Sequence, residues 1–153
     1  VINHVTSDNA STGQPISYSD FGEAPNDNPS ELQNFAKKVR RGQTQFRSNL
    51  LSAYGRKCVI TGEGPGEVLE AVHIVPHSVS GINELDNGLL MRADLHHLFD
   101  DGLLTINPIS KTVEIANRLQ STSYWRYNGN ELRRRNDGSQ GSSQYLQERA
   151  TQT

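Results

Sequence analysis

Apolar residues crowd into one part of this chain: they are sparse in residues 1–31 and 117–153 and concentrated between about 32 and 116. With 33% hydrophobic residues among 153 and a mean hydropathy of −0.66, the core must be small. One domain accounts for the length. The division expected is a linker or irregular arm over 1–28, a folded domain over 29–116, and a C-terminal extension over 117–153 that is partly flexible. The arm is rich in Ser, Asn, Asp, Gly and Pro, a composition that cannot pack. No apolar run approaches the roughly 20 residues that span a bilayer, and no signal-peptide pattern opens the chain. A soluble, cytoplasmic protein without a membrane partner is expected. The first residue is Val1 rather than Met, which suggests a piece of a longer protein.

A single cysteine, Cys58, excludes an internal disulfide and a cysteine-based zinc cluster. In "KCVITG" its surroundings are apolar and β-branched, so it is expected to be a buried small side chain. The net charge of −2 argues for no particular partner. Its distribution says more: residues 20–31 carry four acids and no base, while "KKVRR" (37–41) and "RRR" (133–135) are basic blocks. Such blocks can neutralise phosphates, although a charge run is more often a solvated face.

A helix is expected from "NPSELQNF", with Ser30 as N-cap and Leu32, Phe35, Ala36 and Val39 at helical spacing. Gly42 should break or bend it. A second helical stretch carries Phe46, Leu50, Leu51 and Tyr54 to a stop at Gly55. "KCVIT" (57–61) has the pattern of a short strand, "GEGPGE" (62–67) of a hairpin connection, and "VLEAVHIV" (68–75) of the returning strand that Pro76 ends. A loop follows to Asp86. A helix then starts at or just before Asp94 and stops at Gly102. "LLTIN" and "TVEIA" form a small hairpin across "PISK". "SYWRY" suggests a short strand, and "NDGSQGSSQ" a flexible tail.

Four of the five histidines lie in residues 69–102. At about 100° per residue, Leu95, Leu98 and Phe99 form the inward arc of the helix. His96 and Asp100 are stacked four apart beside that arc, at the rim of the core. They can be an ordinary i,i+4 pair or two ligands for one cation. His97 points to water. His73 sits near a strand end, where it is either bonded to backbone or reachable by a ligand. Glu70 and Val72 share one strand face, with Ala71 and His73 on the other. His77, just past Pro76, can face either the site or solvent.

"EAVHIVP" followed by "DNGLLMRADLHHLFDDGLL" resembles the HNH endonuclease family, in the branch whose motif runs E-A-A-H-I-x-P, N-G-L-L, L-H-x-L-F-D-x-G-L. The lead-in "FRSNLLSAYGRKCVITG" is similar to that branch as well, so the likeness covers about residues 43–116. It implies an α+β chain with a ββα-metal (His-Me finger) core, preceded by N-terminal helices and followed by the extra hairpin. It also implies an enzyme that hydrolyses DNA, leaving 5′-phosphate and 3′-hydroxyl ends. Carried over position by position, His73 matches the general base. Asn87 matches the asparagine that ties the loop and helps hold that base, and His96 matches a metal ligand. Asp100 matches the second ligand one helical turn on. One departure stands out: the position before the base is often an acid or histidine ligand, and here it is Val72. Glu70, on the same strand face, is the expected substitute. The family's frequent zinc-binding cysteine pairs are missing, so no structural zinc is expected.

These residue types suit phosphodiester hydrolysis. Imidazole can take a proton from water near neutral pH. A site of histidine and carboxylate with open positions suits one divalent ion, Mg²⁺ or Mn²⁺ first, with Zn²⁺ or Ni²⁺ as alternatives. Arg92, Arg56 and Lys57 are candidate phosphate contacts, or plain surface charges. The resemblance further implies double-stranded DNA as partner and a fused target-recognition domain, as in bacterial restriction and defence proteins; a homodimer is compatible with it. The rival expectation is a non-catalytic DNA-binding or interaction module that keeps the fold, favoured by the aliphatic Val72.

Overall fold

The computed structural model describes residues 27–76 and 83–152. Of the arm expected over 1–28, only Asp27 and Asn28 fall among these, and His77 with most of the loop after Pro76 falls outside them. Helix α1 spans Pro29–Ala53. Its cap is Asn28 rather than Ser30: the Asn28 side-chain oxygen accepts from the backbone N–H groups of Ser30 and Glu31 at 3.0 and 3.4 Å. Pro29 then takes the first helical position, where its missing N–H costs nothing. The helix does not break at Gly42. That glycine lies on the stripe formed by Val39, Gly42, Gln43, Phe46 and Leu50, all buried. The penalty of roughly 1 kcal/mol for a mid-helix glycine is small beside the burial of such a stripe. The helix ends as expected, with Gly55 at φ +60° and the Arg56 N–H bonded back to the Leu51 carbonyl at 2.8 Å.

Residues 57–61 are a turn and not a strand. The Gly62 N–H donates to the Cys58 carbonyl and the Cys58 N–H to that of Glu63, which closes the segment on itself. Cys58 is fully buried, as expected, and its sulfur lies within 3.5 Å of the N–H groups of Ile60, Thr61 and Arg92. With no strand before it, "GEGPGE" is not a hairpin connection. It leads through a short 3₁₀ turn, Gly66–Val68, into strand β1, Leu69–His73.

The partner of β1 is strand β2, Gly88–Arg92, antiparallel, in a register that sets Leu69 opposite Arg92 and His73 opposite Gly88. Gly88 to Met91 are all buried, because α1 covers one face of this hairpin and helix α2, Ala93–Asp100, lies against the other. The order β1, β2, α2 is the ββα unit, within a mixed α+β chain. Strands β3, Leu104–Ile106, and β4, Val113–Ile115, form the second hairpin where the sequence predicts it.

The core does not stop near residue 116. Leu132 and Leu146 belong to the same cluster as Phe46, Leu50, Leu89 and Phe99. "SYWRY" is a 3₁₀ helix, Ser123–Tyr127, rather than a strand. The tail expected to be flexible is tied down instead. Asn136 bonds the carbonyls of Ala53 and Ser52. Buried Gly141 leaves room for Ile74 and Leu89, whose carbons lie 3.1 and 3.3 Å from where a side chain would begin. Ser142 then caps helix α3, Ser143–Thr151. The third arginine of "RRR" is no surface charge. Arg135 is 4% exposed, donating to Asp86, Ser139 and the Leu85 carbonyl. No helix among the described residues is long and apolar enough to cross a membrane.

Gly88 offers a direct test of this packing. A methyl group there would lie 2.8 Å from Leu50 and Phe46. Overpacking a filled core costs about 1–3 kcal/mol, so Gly88→Ala is expected to lower the urea midpoint without changing the m-value.

Candidate active site

His73 ends β1 at the point where the chain leaves the sheet. Its ring lies face to face with Phe46 of α1, centroids 4.3 Å apart and planes 11° from parallel. Gly88 is its cross-strand partner, and the space beyond that glycine is filled by Phe46 and Leu50. The missing side chain therefore lets the aromatic ring close onto the imidazole. His73 Nε2 lies 2.7 Å from the side-chain oxygen of Asn83. An amide oxygen only accepts, so Nε2 is the donor in this contact.

Asn87 is completely buried. Its side-chain oxygen accepts from the Val75 N–H at 2.9 Å, and its side-chain nitrogen donates to the Val75 carbonyl at 3.1 Å. Its backbone carbonyl accepts from the Ile74 N–H at 2.8 Å. Asn87 thus fastens the chain just beyond His73, while Asn83 takes the ring. The sequence drew attention to the first asparagine and passed over the second, which lies in a loop with no periodic pattern.

On the other face of β1, Glu70 reaches α2. Its carboxylate lies 2.8 Å from Nδ1 of His96, and the carboxylate of Asp100 lies 3.2 Å from Nε2 of the same ring. The imidazole is about one quarter exposed and both acids are more than half exposed, which is the rim position expected. The structure therefore brings Glu70, His96 and Asp100 together, but not onto one point, because the two acids meet opposite ring nitrogens. Among the described residues, no three His, Cys, Asp or Glu side chains surround a common centre. A pair remains: Nε2 of His96 and the Asp100 oxygen are separated by about the spacing of adjacent ligands on a small cation with bonds of roughly 2.1 Å. A cation there would leave Nδ1–H of His96 to Glu70, the outer carboxylate that commonly orients a metal-bound histidine. His96 and Asp100 fit a divalent ion that keeps most of its waters. His97 is 80% exposed and faces Asp101, in solvent as expected.

Arg92 does not point freely outward. Its guanidinium holds Asp94 through two hydrogen bonds, of 2.6 and 3.0 Å, and Tyr124 donates to the same carboxylate at 2.8 Å. The Arg92 guanidinium, helped by Tyr124, holds the Asp94 carboxyl below the usual carboxylate range. Arg56 and Lys57 are exposed, with the Arg56 guanidinium packed over Gly66. Two further residues were not singled out from sequence. Arg149 of α3 donates to the carbonyls of Ile74 and Phe99, and Tyr145 donates to Glu84. Nothing local in "QYLQERA" marks either one.

An antiparallel hairpin with an imidazole at the end of one strand is packed on a helix that carries a histidine and an aspartate one turn apart, which makes a ββα unit. Residues 58–107 match the family model described as HNH endonuclease. That segment runs from Cys58 to the end of β3 and contains both strands and α2; β4, Ser123–Tyr127 and α3 lie beyond it. No curated protein matches this chain.

Two expectations follow. Asn87→Ala would orphan the Val75 N–H and carbonyl in the core, at about 1–3 kcal/mol for each group, and a large fall in the urea midpoint checks it. Asp94 concerns acid stability. A carboxyl whose folded pKa is depressed contributes stability above its unfolded value of about 3.9, and that stability is lost as pH falls through the folded value. Below about pH 4, the unfolding midpoint of Asp94→Asn should therefore decline less steeply with pH than that of the wild type.

Proposed function

We propose that this chain is a divalent-metal-dependent endonuclease that hydrolyses phosphodiester bonds of double-stranded DNA. The observation that carries the reading is the His73 ring: a strand-end imidazole stacked on Phe46 and bonded through Nε2 to Asn83. Such an imidazole is placed to take a proton from water, because its ring is oriented before substrate arrives. Asn87 contributes indirectly, by fixing where the strand ends. His96 and Asp100 would hold the ion, and Glu70 would orient His96 through Nδ1 rather than serve as a third ligand. When bound, a divalent ion supplies Lewis-acid relief for charge building on the phosphate and the departing oxygen. The mixed imidazole and carboxylate donors suit Mg²⁺ or Mn²⁺, with Zn²⁺ or Ni²⁺ as alternatives.

Arg56 and Lys57, exposed on the turn after α1, are the cations proposed to meet backbone phosphates. Arg92 enters this reading mainly through Asp94, since its guanidinium donates two hydrogen bonds to that carboxylate. The likeness of the motif branch, and it alone, supports the finer reading of a cleavage module of a bacterial restriction or defence protein, acting in the cytoplasm beside a target-recognition domain. One observation favours a second reading, a DNA-binding module without turnover. Val72, in the strand position where a ligand often stands, is aliphatic and 1% exposed, so it cannot coordinate.

A plasmid-nicking assay separates the two. With Mg²⁺ or Mn²⁺ the wild type should convert supercoiled plasmid to nicked or linear DNA, and His73→Ala should be slower by roughly 10²–10⁴-fold, the usual contribution of a general base. DNA binding without any wild-type cleavage supports the module; equal cleavage by both proteins removes His73 from the chemistry.

A further inference from the structure

Helix α3 lies outside the segment that matches the nuclease family, yet its side chains reach three separate parts of the candidate site. Arg149 donates through Nη1 to the Ile74 carbonyl at 2.9 Å and through Nη2 to the Phe99 carbonyl at 2.7 Å. Its guanidinium carbon lies over the Phe99 ring, 3.5 Å from the centroid. Ile74 directly follows His73, and Phe99 directly precedes Asp100. Tyr145, four residues earlier on the same side of α3, donates to Glu84, which directly follows Asn83. Between these two anchors Leu146 is buried in the core. Each anchor therefore falls one residue from a group that the site uses: 74 beside 73, 99 beside 100, 84 beside 83.

We propose that α3 is a positioning strap for the active site, in which Arg149 sets the end of β1 against α2 and Tyr145 sets the loop that holds the His73 ring. This rests on the reading that His73, His96 and Asp100 act together. The physical reason is the guanidinium fork. Two parallel N–H donors on one rigid plane fix the relative position of two acceptors, which a single ammonium cannot do. Here the acceptors belong to different elements, so the fork measures the gap between the base and the helix that carries His96 and Asp100. The cation–π contact with Phe99 holds the fork in place. Neither Arg149 nor Tyr145 needs to touch substrate, and both are positioning residues. A displacement of the order of 1 Å at a reacting centre costs about 10²-fold in rate.

The test uses the whole chain with Arg149→Lys and Tyr145→Phe, each checked for an intact fold by circular dichroism. The imidazole Hε1 resonances of His73 and His96, recorded by NMR without added metal, report geometry independently of turnover. Arg149→Lys should shift both resonances. In the nicking assay it should lower kcat by about 10–10²-fold and leave KM for plasmid nearly unchanged. Tyr145→Phe should shift the His73 resonance and leave that of His96 in place. Unmoved resonances in folded Arg149→Lys would overturn the strap, as would a Tyr145→Phe protein whose His73 resonance stays put. If Arg149→Lys does not fold, the Tyr145→Phe arm decides alone. A wild type that cleaves nothing would sink the nuclease reading, while the resonance shifts would still test whether α3 sets the two rings.

Discussion

Three hydrogen bonds between Asn87 and residues 74–75 determine where β1 stops and β2 begins. They are buried, so each is worth far more intact than its net contribution suggests: leaving one partner without water or bond costs about 1–3 kcal/mol. The lock also fixes register. A slip of one residue would turn His73 toward α2 and Glu70 toward α1. With the register held, Gly88 falls opposite His73, Phe46 closes over the glycine, and the imidazole acquires a flat apolar support on one side. The side chain of Asn83 then holds Nε2 of the ring. A buried amide, a glycine and an aromatic ring together orient one imidazole.

The cluster of Glu70, His96 and Asp100 is built differently. These three side chains lie at the rim, where water screens their charges and an isolated ion pair contributes little to stability. What the arrangement provides is direction. One carboxylate on Nδ1 turns the ring, and the other stands beside Nε2 at ligand spacing. Val72 marks the cost of this solution, since the strand position that often supplies a ligand is committed to the core. The donor set is consequently sparse, and on the function proposed above it would suit a cation that retains most of its waters.

Much of the support comes from the last forty residues. Arg135, buried under Tyr54 and bonded to Leu85 and Asp86, holds the segment that precedes β2. Ser142 donates its N–H to the Asp86 carbonyl, and α3 follows directly. The result is a small ββα unit braced from both chain directions, by α1 on the side of His73 and by the C-terminal region before β2.

Some of this was legible in the chain alone. The alternation in "LEAVH" and the helical spacing of Leu95, Leu98 and Phe99 set the local elements. The four-residue step from His96 to Asp100 placed both on one strip whatever the rest of the molecule does, because these periods are properties of the backbone. Tertiary structure decided the remainder. Residues 57–61 have strand composition, but β1 pairs with β2, so they fold back as a turn around the cysteine sulfur. Gly42 interrupts a pattern yet not a helix, because packing along the α1 stripe outweighs a local propensity near 1 kcal/mol. Residues 136–144 have the composition of a flexible tail, but their polar groups find partners on α1 and before β2, contacts that no short window contains. The assignment of Glu70 to the far side of the His96 ring has the same origin. A strand and a helix 26 residues apart in sequence had first to be packed together before it was settled which nitrogen each acid would meet.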